Sequence, residues 1–159
     1  MQDLYVFLFF SMTARIADVA STLWCTPNFL LEGNPLIRRY GKTFLYLTIL
    51  GGLIPLIDLN TGIAITTGSF LAAFSNLSKA TIYRFLGEAE TSRLIQSHRQ
   101  RLGKTKWLIF SSVPLIVPVL FGLMIVYGSR NDGIASSYYI GMGAVAFSFA
   151  VFIHRCFAK

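Results

Sequence analysis

Charged residues are scarce in this chain, and cysteine is scarcer still. Only 13% of the 159 residues are Asp, Glu, Lys or Arg, whereas a soluble domain carries about 25%. The two cysteines, Cys25 and Cys156, have no metal-ligand spacing and are expected to be reduced. The chain also has no recognisable nucleophile–base pair and no glycine-rich phosphate loop. The sequence therefore predicts no cofactor and no metal, and it gives little support to an enzyme.

Apolar residues, by contrast, are abundant and occur in long runs. They make up 54% of the chain, and the mean hydropathy is +0.60. Because about 20 apolar residues suffice for a helix to cross a bilayer, we predict an all-α, polytopic helical membrane protein with one domain over residues 1–159. About five transmembrane helices are expected, approximately at 4–24, 36–57, 63–85, 107–127 and 134–153. The hydrophilic residues 87–106 are expected to form a basic cytoplasmic loop.

The second predicted span is irregular. Its strictly apolar part, residues 43–57, would be only about 22 Å long at 1.5 Å per residue, which is short for a bilayer of about 30 Å. Gly51, Gly52 and Pro55 favour a bend within it. A segment that enters and leaves the membrane on one side is the alternative interpretation.

The basic residues lie mostly on one side of the predicted helices. Of the 14 lysines and arginines, eleven fall on the side of the C-terminus, one on the other side and two within spans. The eleven are Arg38, Arg39, Lys42, Arg84, Arg93, Arg99, Arg101, Lys104, Lys106, Arg155 and Lys159. Cytoplasmic loops carry the excess of Lys and Arg, so we predict a multi-pass protein of the cell (inner) membrane with its N-terminus outside and its C-terminus in the cytoplasm. This asymmetry accounts for the net charge of +7, so no nucleic-acid partner is expected.

The first predicted span contains two charged residues, Arg15 and Asp18. A charge near the centre of a membrane helix costs about 2.5–3.5 kcal/mol. At 100° per residue both share one stripe of the helix with Ser11, Thr22 and Cys25, and their i, i+3 spacing allows partial neutralisation. Two interpretations stay open: an ion pair that holds helices together, and a ligand or proton site.

A short polar turn, Glu32-Gly33-Asn34-Pro35, follows this span. Asn is a strong N-cap and Pro is favoured at the first helical position, so Asn34 and Pro35 predict a helix start. Glu32 would lie near the positive end of that helix, where a carboxylate is stabilised. Capping explains these residues. A contribution to a site beside Asp18 is the alternative, because the turn lies just beyond the polar stripe and on the same side.

These two motifs together carry a family resemblance. Asp18-x-x-Ser21-Thr22, followed by Glu32-x-Asn34-Pro35, resembles the D-x-x-[ST]-T…E-x-N-P signature of a family of small, polytopic prokaryotic membrane proteins of unknown function. The resemblance covers roughly residues 11–40. It implies a helical membrane fold and a shared polar site, and it implies no activity.

The third predicted span ends in three more polar residues, Asn76, Lys79 and Arg84. The long side chain of Lys79 could extend to the headgroups. Asn76 would lie too deep for that, and in lipid it needs an interhelical partner. We expect Asp18 to be the partner of Asn76 or of Lys79.

The predicted site therefore lies in the cytoplasmic half of the membrane. It comprises Arg15, Asp18, Ser21, Thr22, Glu32, Asn34, Asn76, Lys79 and Arg84. Since its cations would attract an anion, binding or transport of an anionic lipid or small molecule is favoured. The alternatives are an accessory or assembly subunit of a larger membrane complex and a lipid-modifying intramembrane enzyme with Asp18 or Glu32 as the base. The expected partners are membrane lipids, with a larger membrane complex or a homo-oligomer as further alternatives.

Overall fold

The structure, a computed structural model, describes residues 2–32, 34–132 and 135–157. Over these ranges it contains six α-helices, one 3-10 helix and no β-strand, which confirms the all-α prediction for that part of the chain. The elements are α1 (Gln2–Cys25), α2 (Pro35–Leu47), the 3-10 helix η1 (Thr48–Leu56), α3 (Leu59–Leu86), α4 (Glu88–Leu102), α5 (Lys104–Asp132) and α6 (Ala135–Phe157). Every predicted span overlaps helical structure, and α4 occupies most of the predicted basic loop.

Within the described ranges, two helices are long and apolar enough to cross a membrane. They cover Leu4–Cys25 and Lys104–Tyr127, with mean hydropathies of 1.4 and 2.4. At 1.5 Å per residue they are about 33 and 36 Å long, which exceeds the hydrocarbon thickness of about 30 Å. A shorter apolar stretch, Ser137–Ile153, lies within α6.

The second predicted span is divided between two elements. The Asn34 side chain accepts a hydrogen bond from the Leu36 amide at 2.9 Å and so caps α2 as predicted. Gly41, with φ +62° and ψ −144°, interrupts α2, and the chain continues as a 3-10 helix from Thr48. The sequence predicted a bend further along, and the break at Gly41 was missed. Glycine adopts a positive φ at little steric cost, so a lone glycine among helix-forming residues can break a helix.

Helix α3 lies at the centre of the bundle. α1 packs along one side of it and α6 along another, η1 contacts both α1 and α3, and α5 packs against α6. Arg15 bonds to Ser69 and Thr22 bonds to Asn76. Because the residue numbers rise together in these pairs, α1 and α3 run parallel.

The remaining directions follow from the glycine contacts. On α6, Gly143 lies against Ala64 and Phe147 lies near Gly68, so α6 also runs parallel to α3. η1 runs opposite to α1, since Gly52 lies against Met12 while the earlier residue Thr48 contacts the later residue Arg15. Helices α5 and α6 form an antiparallel pair. Their contacts join Gly122 to Val145 and Val126 to Gly141.

Glycine also sets how closely α3, α5 and α6 approach. A Cβ on Gly141 would lie 2.5 Å from the Gly122 carbonyl oxygen, and a Cβ on Gly122 would lie 2.7 Å from the Gly141 carbonyl oxygen. A Cβ on Gly143 would overlap the Ala64 carbonyl oxygen and lie 2.9 Å from Thr67 Cβ. Small residues allow this backbone-to-backbone packing, which is a main source of helix association in lipid.

We expect Gly143→Ala to destabilise the protein by about 1–3 kcal/mol, because the added methyl group overpacks the contact between α3 and α6. Gly68→Ala is a matched control across the same contact, since its Cβ would have 3.9 Å and 4.0 Å to its nearest neighbours. The measurement is an unfolding titration with sodium dodecyl sulfate in mixed micelles. Equal unfolding free energies for the two variants would contradict the close packing at Gly143.

The loop between α1 and α2 is held to the start of α4 by Glu88. Its Oε2 accepts a bond from the Asn28 amide at 2.9 Å, and its Oε1 accepts bonds from the Leu30 and Leu31 amides at 2.6 and 3.2 Å. The Glu88 side chain is buried, at 8% exposure. One carboxylate therefore satisfies three backbone amides of a loop that has no regular secondary structure.

Candidate functional site

Arg15 connects three helical elements through its guanidinium group. Its Nη1 lies 2.9 Å from Asp18 Oδ2 and 3.1 Å from Ser69 Oγ. Its Nε and Nη2 each donate to the Thr48 carbonyl oxygen at 3.0 Å. The Arg15 and Asp18 side chains are 17% and 19% exposed, so the predicted ion pair is present and mostly buried. One cation thus joins α1, η1 and α3.

Of the two glycines in η1, Gly52 allows this arrangement. A Cβ on Gly52 would lie 2.6 Å from Met12 Sδ, and one on Gly51 would lie 3.6 Å from Arg15 Nε. The first distance is too short for a real Cβ, so the lack of a side chain at Gly52 lets η1 approach α1. This approach brings the Thr48 carbonyl oxygen within reach of Arg15. The sequence predicted a bend near these glycines, whereas their part in the site was missed.

Asn76 bonds to hydroxyl groups of α1. Its Nδ2 donates to Thr22 Oγ1 at 3.0 Å and lies 3.4 Å from Ser21 Oγ, while its backbone carbonyl accepts from Cys25 Sγ at 2.7 Å. Of the two partners predicted for Asp18, Asn76 is therefore wrong. Since α1 and α3 run parallel, Ser21 and Thr22 lie level with Asn76, and Asp18 lies about one turn nearer the start of α1.

The turn after α1 has the capping geometry that the sequence predicted. Glu32 Oε1 accepts from the Asn34 amide at 2.8 Å, and Asn34 in turn caps α2. The negative charge of Glu32 also lies within electrostatic reach of Asp18. The capping interpretation is therefore supported by direct hydrogen bonds, and the interaction of Glu32 with Asp18 is electrostatic only.

Lys79 and Arg84 lie beyond these bonds, toward the ends of α1 and α3. The Arg84 guanidinium lies over the Trp24 ring, 4.6 Å from its centroid, and Trp24 is 56% exposed. Lys79 Nζ donates to Ser75 Oγ at 2.9 Å. Both positive charges are within electrostatic reach of Cys25. This end of the bundle therefore presents two cations and an exposed aromatic ring.

The nine predicted site residues thus separate into four groups. Arg15 and Asp18 form the ion pair, Ser21, Thr22 and Asn76 form a hydrogen-bonded cluster, and Lys79 and Arg84 lie at the helix ends, with Glu32 and Asn34 in the adjoining turn. The prediction missed Thr48, Ser69 and Glu88. Ser69 lies on the same stripe of α3 as Asn76, so the helical periodicity could have identified it. The Thr48 carbonyl and the three amides bound by Glu88 are backbone groups. Every residue type carries such groups, so the sequence pattern could not identify them.

Comparison with protein-family models, with curated proteins and with solved structures found no match. The chemistry of the site is accordingly read from its geometry. Arg15 donates to three groups of the protein itself, and Asn76 donates to two. These hydrogen bonds hold helices together. Arg84, in contrast, is exposed beside an aromatic ring. Such a pair can hold an anion near an apolar surface.

Proposed function

We propose that this chain is a multi-pass protein of the cell (inner) membrane that binds an anionic group, from a lipid or a small molecule, at the cytoplasmic end of α1 and α3. One observation carries the proposal: the exposed Arg84 guanidinium stacks on the exposed Trp24 ring where these two helices end. Tryptophan and arginine at the end of a helix that can cross a membrane are typical of the headgroup region. Lys79 supplies a second cation less than two turns earlier on α3.

The helix directions support a five-span arrangement. α1, α3 and α6 run one way, and η1 and α5 run the other, which is the alternation that five successive crossings require. With the strongly one-sided distribution of Lys and Arg in the sequence, the positive-inside rule favours a cytoplasmic location for the ends of α1, α3 and α6. Arg84 would then lie at the inner leaflet, where acidic lipids attract basic residues.

The Arg15 group has a different role in this proposal. Its donors are directed to Asp18, Ser69 and the Thr48 carbonyl, so it holds three elements in place and leaves anion binding to Arg84. We propose that the D-x-x-[ST]-T…E-x-N-P resemblance reflects this scaffold. Asp18 orients Arg15, Thr22 accepts from Asn76, and the Glu32–Asn34 turn starts α2.

The binding proposal is tested by Arg84→Gln. We expect the wild-type protein, extracted from nanodiscs that contain neutral and acidic phospholipids, to retain the acidic lipid in native mass spectrometry. The variant is expected to retain one acidic lipid fewer per chain, because the site at the ends of α1 and α3 binds about tenfold more weakly when a charge-assisted hydrogen bond of about 1.5–3 kcal/mol is lost. Soluble glycerol phosphate, added to the protein in neutral nanodiscs, tests whether a small anion binds at this site without acyl chains.

Arg39→Gln is the matched control for this experiment. Arg39 is also exposed and also lies over an aromatic ring, 5.3 Å from the Tyr40 centroid, but it belongs to α2. Equal lipid loss in the two variants would mean that the lipid responds only to total charge. Unchanged retention in Arg84→Gln would contradict binding at the ends of α1 and α3.

A second candidate function, an accessory subunit of a larger membrane complex, is favoured by α5. This helix packs mainly against α6, and only 6% of its most apolar stretch is buried inside the protein. Large apolar side chains such as Val117 and Met124 are 71% and 72% exposed. A protein that co-purifies in a fixed ratio, and that is lost when Val117 and Met124 are replaced by Ala, would favour this function over anion binding.

A further inference from the structure

The corner where α4 meets α5 has no part in the site described above. A single residue, Gly103, joins the two helices, with φ +74°. A cavity of about 420 Å³ opens at this corner and is lined by Gln96, Arg99, Gln100, Gly103 and Lys104. A Cβ on Gly103 would meet no atom within 4 Å, so the corner is open. Its walls present two cations and two carboxamides.

The positive charge of this corner is not balanced by nearby carboxylates. Between Glu90 and Asp132 the sequence contains no Asp or Glu. Glu90 itself lies 3.6 Å from Arg93 and about three turns before the end of α4. Among the described residues, neither Arg99 nor Lys104 forms an ion pair. The corner therefore attracts an anion from outside the chain.

The position of the corner indicates which anion it meets. It lies at the start of Lys104–Tyr127, the more apolar of the two segments that could cross a membrane. Trp107 follows within one turn, as an interface residue does. Ile109 and Phe110 come next and are 61% and 64% exposed. If α5 crosses the bilayer, cations at the headgroup level stand directly beside exposed apolar side chains at the level of the acyl chains.

We propose that the α4–α5 corner binds the phosphate group of an acidic membrane lipid. Arg99 donates to two phosphate oxygens through its planar guanidinium, and Lys104 adds a point charge. Gln96 and Gln100 supply further N–H donors. The acyl chains lie along the exposed apolar side chains of α5. A cavity of roughly 300–1,000 Å³ is the usual size of a small-ligand site, and the corner falls within this range.

This site is separate from the one at Trp24 and Arg84. α4, with 15 residues, is about 22 Å long and lies between Arg84 and Gly103. The inference rests on the proposed membrane location, and it does not depend on anion binding at Arg84. The two sites can also be observed separately, because the chain contains two tryptophans, one beside each site.

The test uses Trp107 as a reporter in a Trp24→Phe background. The protein is reconstituted in phosphatidylcholine vesicles that contain a minority of phosphatidylglycerol, and either one or the other lipid carries brominated acyl chains that quench tryptophan fluorescence. We expect brominated phosphatidylglycerol to quench Trp107 at least threefold more, per mole of lipid, than brominated phosphatidylcholine. The double variant Arg99→Gln/Lys104→Gln is expected to abolish this preference.

The control Arg38→Gln/Arg93→Gln also removes two positive charges, but from outside the corner. We expect this control to keep the preference for phosphatidylglycerol. Both doubles are checked for wild-type thermal stability. The proposal is overturned if the two brominated lipids quench Trp107 equally in the reporter protein. It is also overturned if the preference persists in the Arg99→Gln/Lys104→Gln variant. A preference lost equally in the control also overturns it, because general charge attraction then accounts for the result.

Two further arms separate the remaining outcomes. In the first arm, soluble glycerol phosphate is added and thermal stability is measured. If it stabilises the protein only when Arg99 and Lys104 are present, and the quenching shows no preference between the lipids, the corner binds a soluble phosphate and the lipid proposal is overturned. Protein that an alkaline carbonate wash removes from the vesicles overturns the membrane location itself. Failure of Arg84→Gln to alter lipid retention leaves the Trp107 result unaffected, so the two proposals fail independently.

Discussion

Asp18→Ala is expected to lower the free energy of unfolding by about 2–3 kcal/mol. Removal of one partner from a buried ion pair costs about 3–5 kcal/mol because the other charge is left uncompensated. The cost is smaller here, since Arg15 keeps its bonds to Thr48 and Ser69 and the Asp18 side chain is 19% exposed. The measurement is an unfolding titration with sodium dodecyl sulfate in mixed micelles.

Two comparisons isolate the ion pair. Thr13→Ala changes the same helix at an exposed residue whose hydroxyl bonds only to the Phe9 carbonyl, and it should change the unfolding free energy by less than about 0.5 kcal/mol. The double variant Arg15→Met/Asp18→Ala removes both charges and should be less destabilised than the sum of the single changes. An Asp18→Ala protein as stable as Thr13→Ala would show that the pair does not contribute.

Glu88→Ala is expected to cost about 2–4 kcal/mol and to expose the loop between α1 and α2. The substitution leaves the amides of Asn28, Leu30 and Leu31 without their acceptor, and a buried unpaired donor costs about 1–3 kcal/mol. Water replaces part of the loss, because Asn28 and Leu30 are exposed. Hydrogen exchange at these three amides should therefore rise markedly, beside the fall in unfolding free energy.

Glu90→Ala is the matched control for this result. Glu90 lies in the same first turn of α4 and carries the same charge, but it is exposed and faces Arg93 at 3.6 Å. An exposed ion pair contributes about 0–1 kcal/mol, so little change is expected. Glu88→Gln should fall between the two, since one carboxamide oxygen still accepts. Faster exchange of the loop amides in Glu90→Ala than in Glu88→Ala would refute the role of Glu88.

Much of the fold could be predicted from the sequence because its signals are local. Long apolar runs predicted the helical segments, and Asn34 with Pro35 predicted the start of α2, where the cap was found. The change of helix type at Thr48 and the break at Gly41 were not predicted. The 3-10 segment packs against α1 and α3, and packing is a property of two segments that a pattern in either one does not contain. The break at Gly41 uses a positive φ that glycine permits but does not require.

The site was predicted less completely than the fold, for a related reason. The spacing of Arg15 and Asp18 identified their pair correctly, because residues three apart are neighbours on a helix. The partner of Asn76 was missed, since it depends on the axial register of α3 against α1. That register is a property of the contact between two helices, and the sequence of either helix alone does not specify it.

The spacing of Arg15 and Asp18 also has a consequence for biosynthesis. Ser69 is 54 residues beyond Arg15, so a ribosome that adds roughly 5–20 residues per second produces it about 3–11 s later. Until then Ser69 cannot accept a hydrogen bond from Arg15, and Thr48, 33 residues beyond Arg15, cannot do so for about the first 2–7 s. Asp18 is already present, one turn away on the same helix. The nascent α1 therefore already carries its own counter-ion, and the later segments only complete the set of bonds.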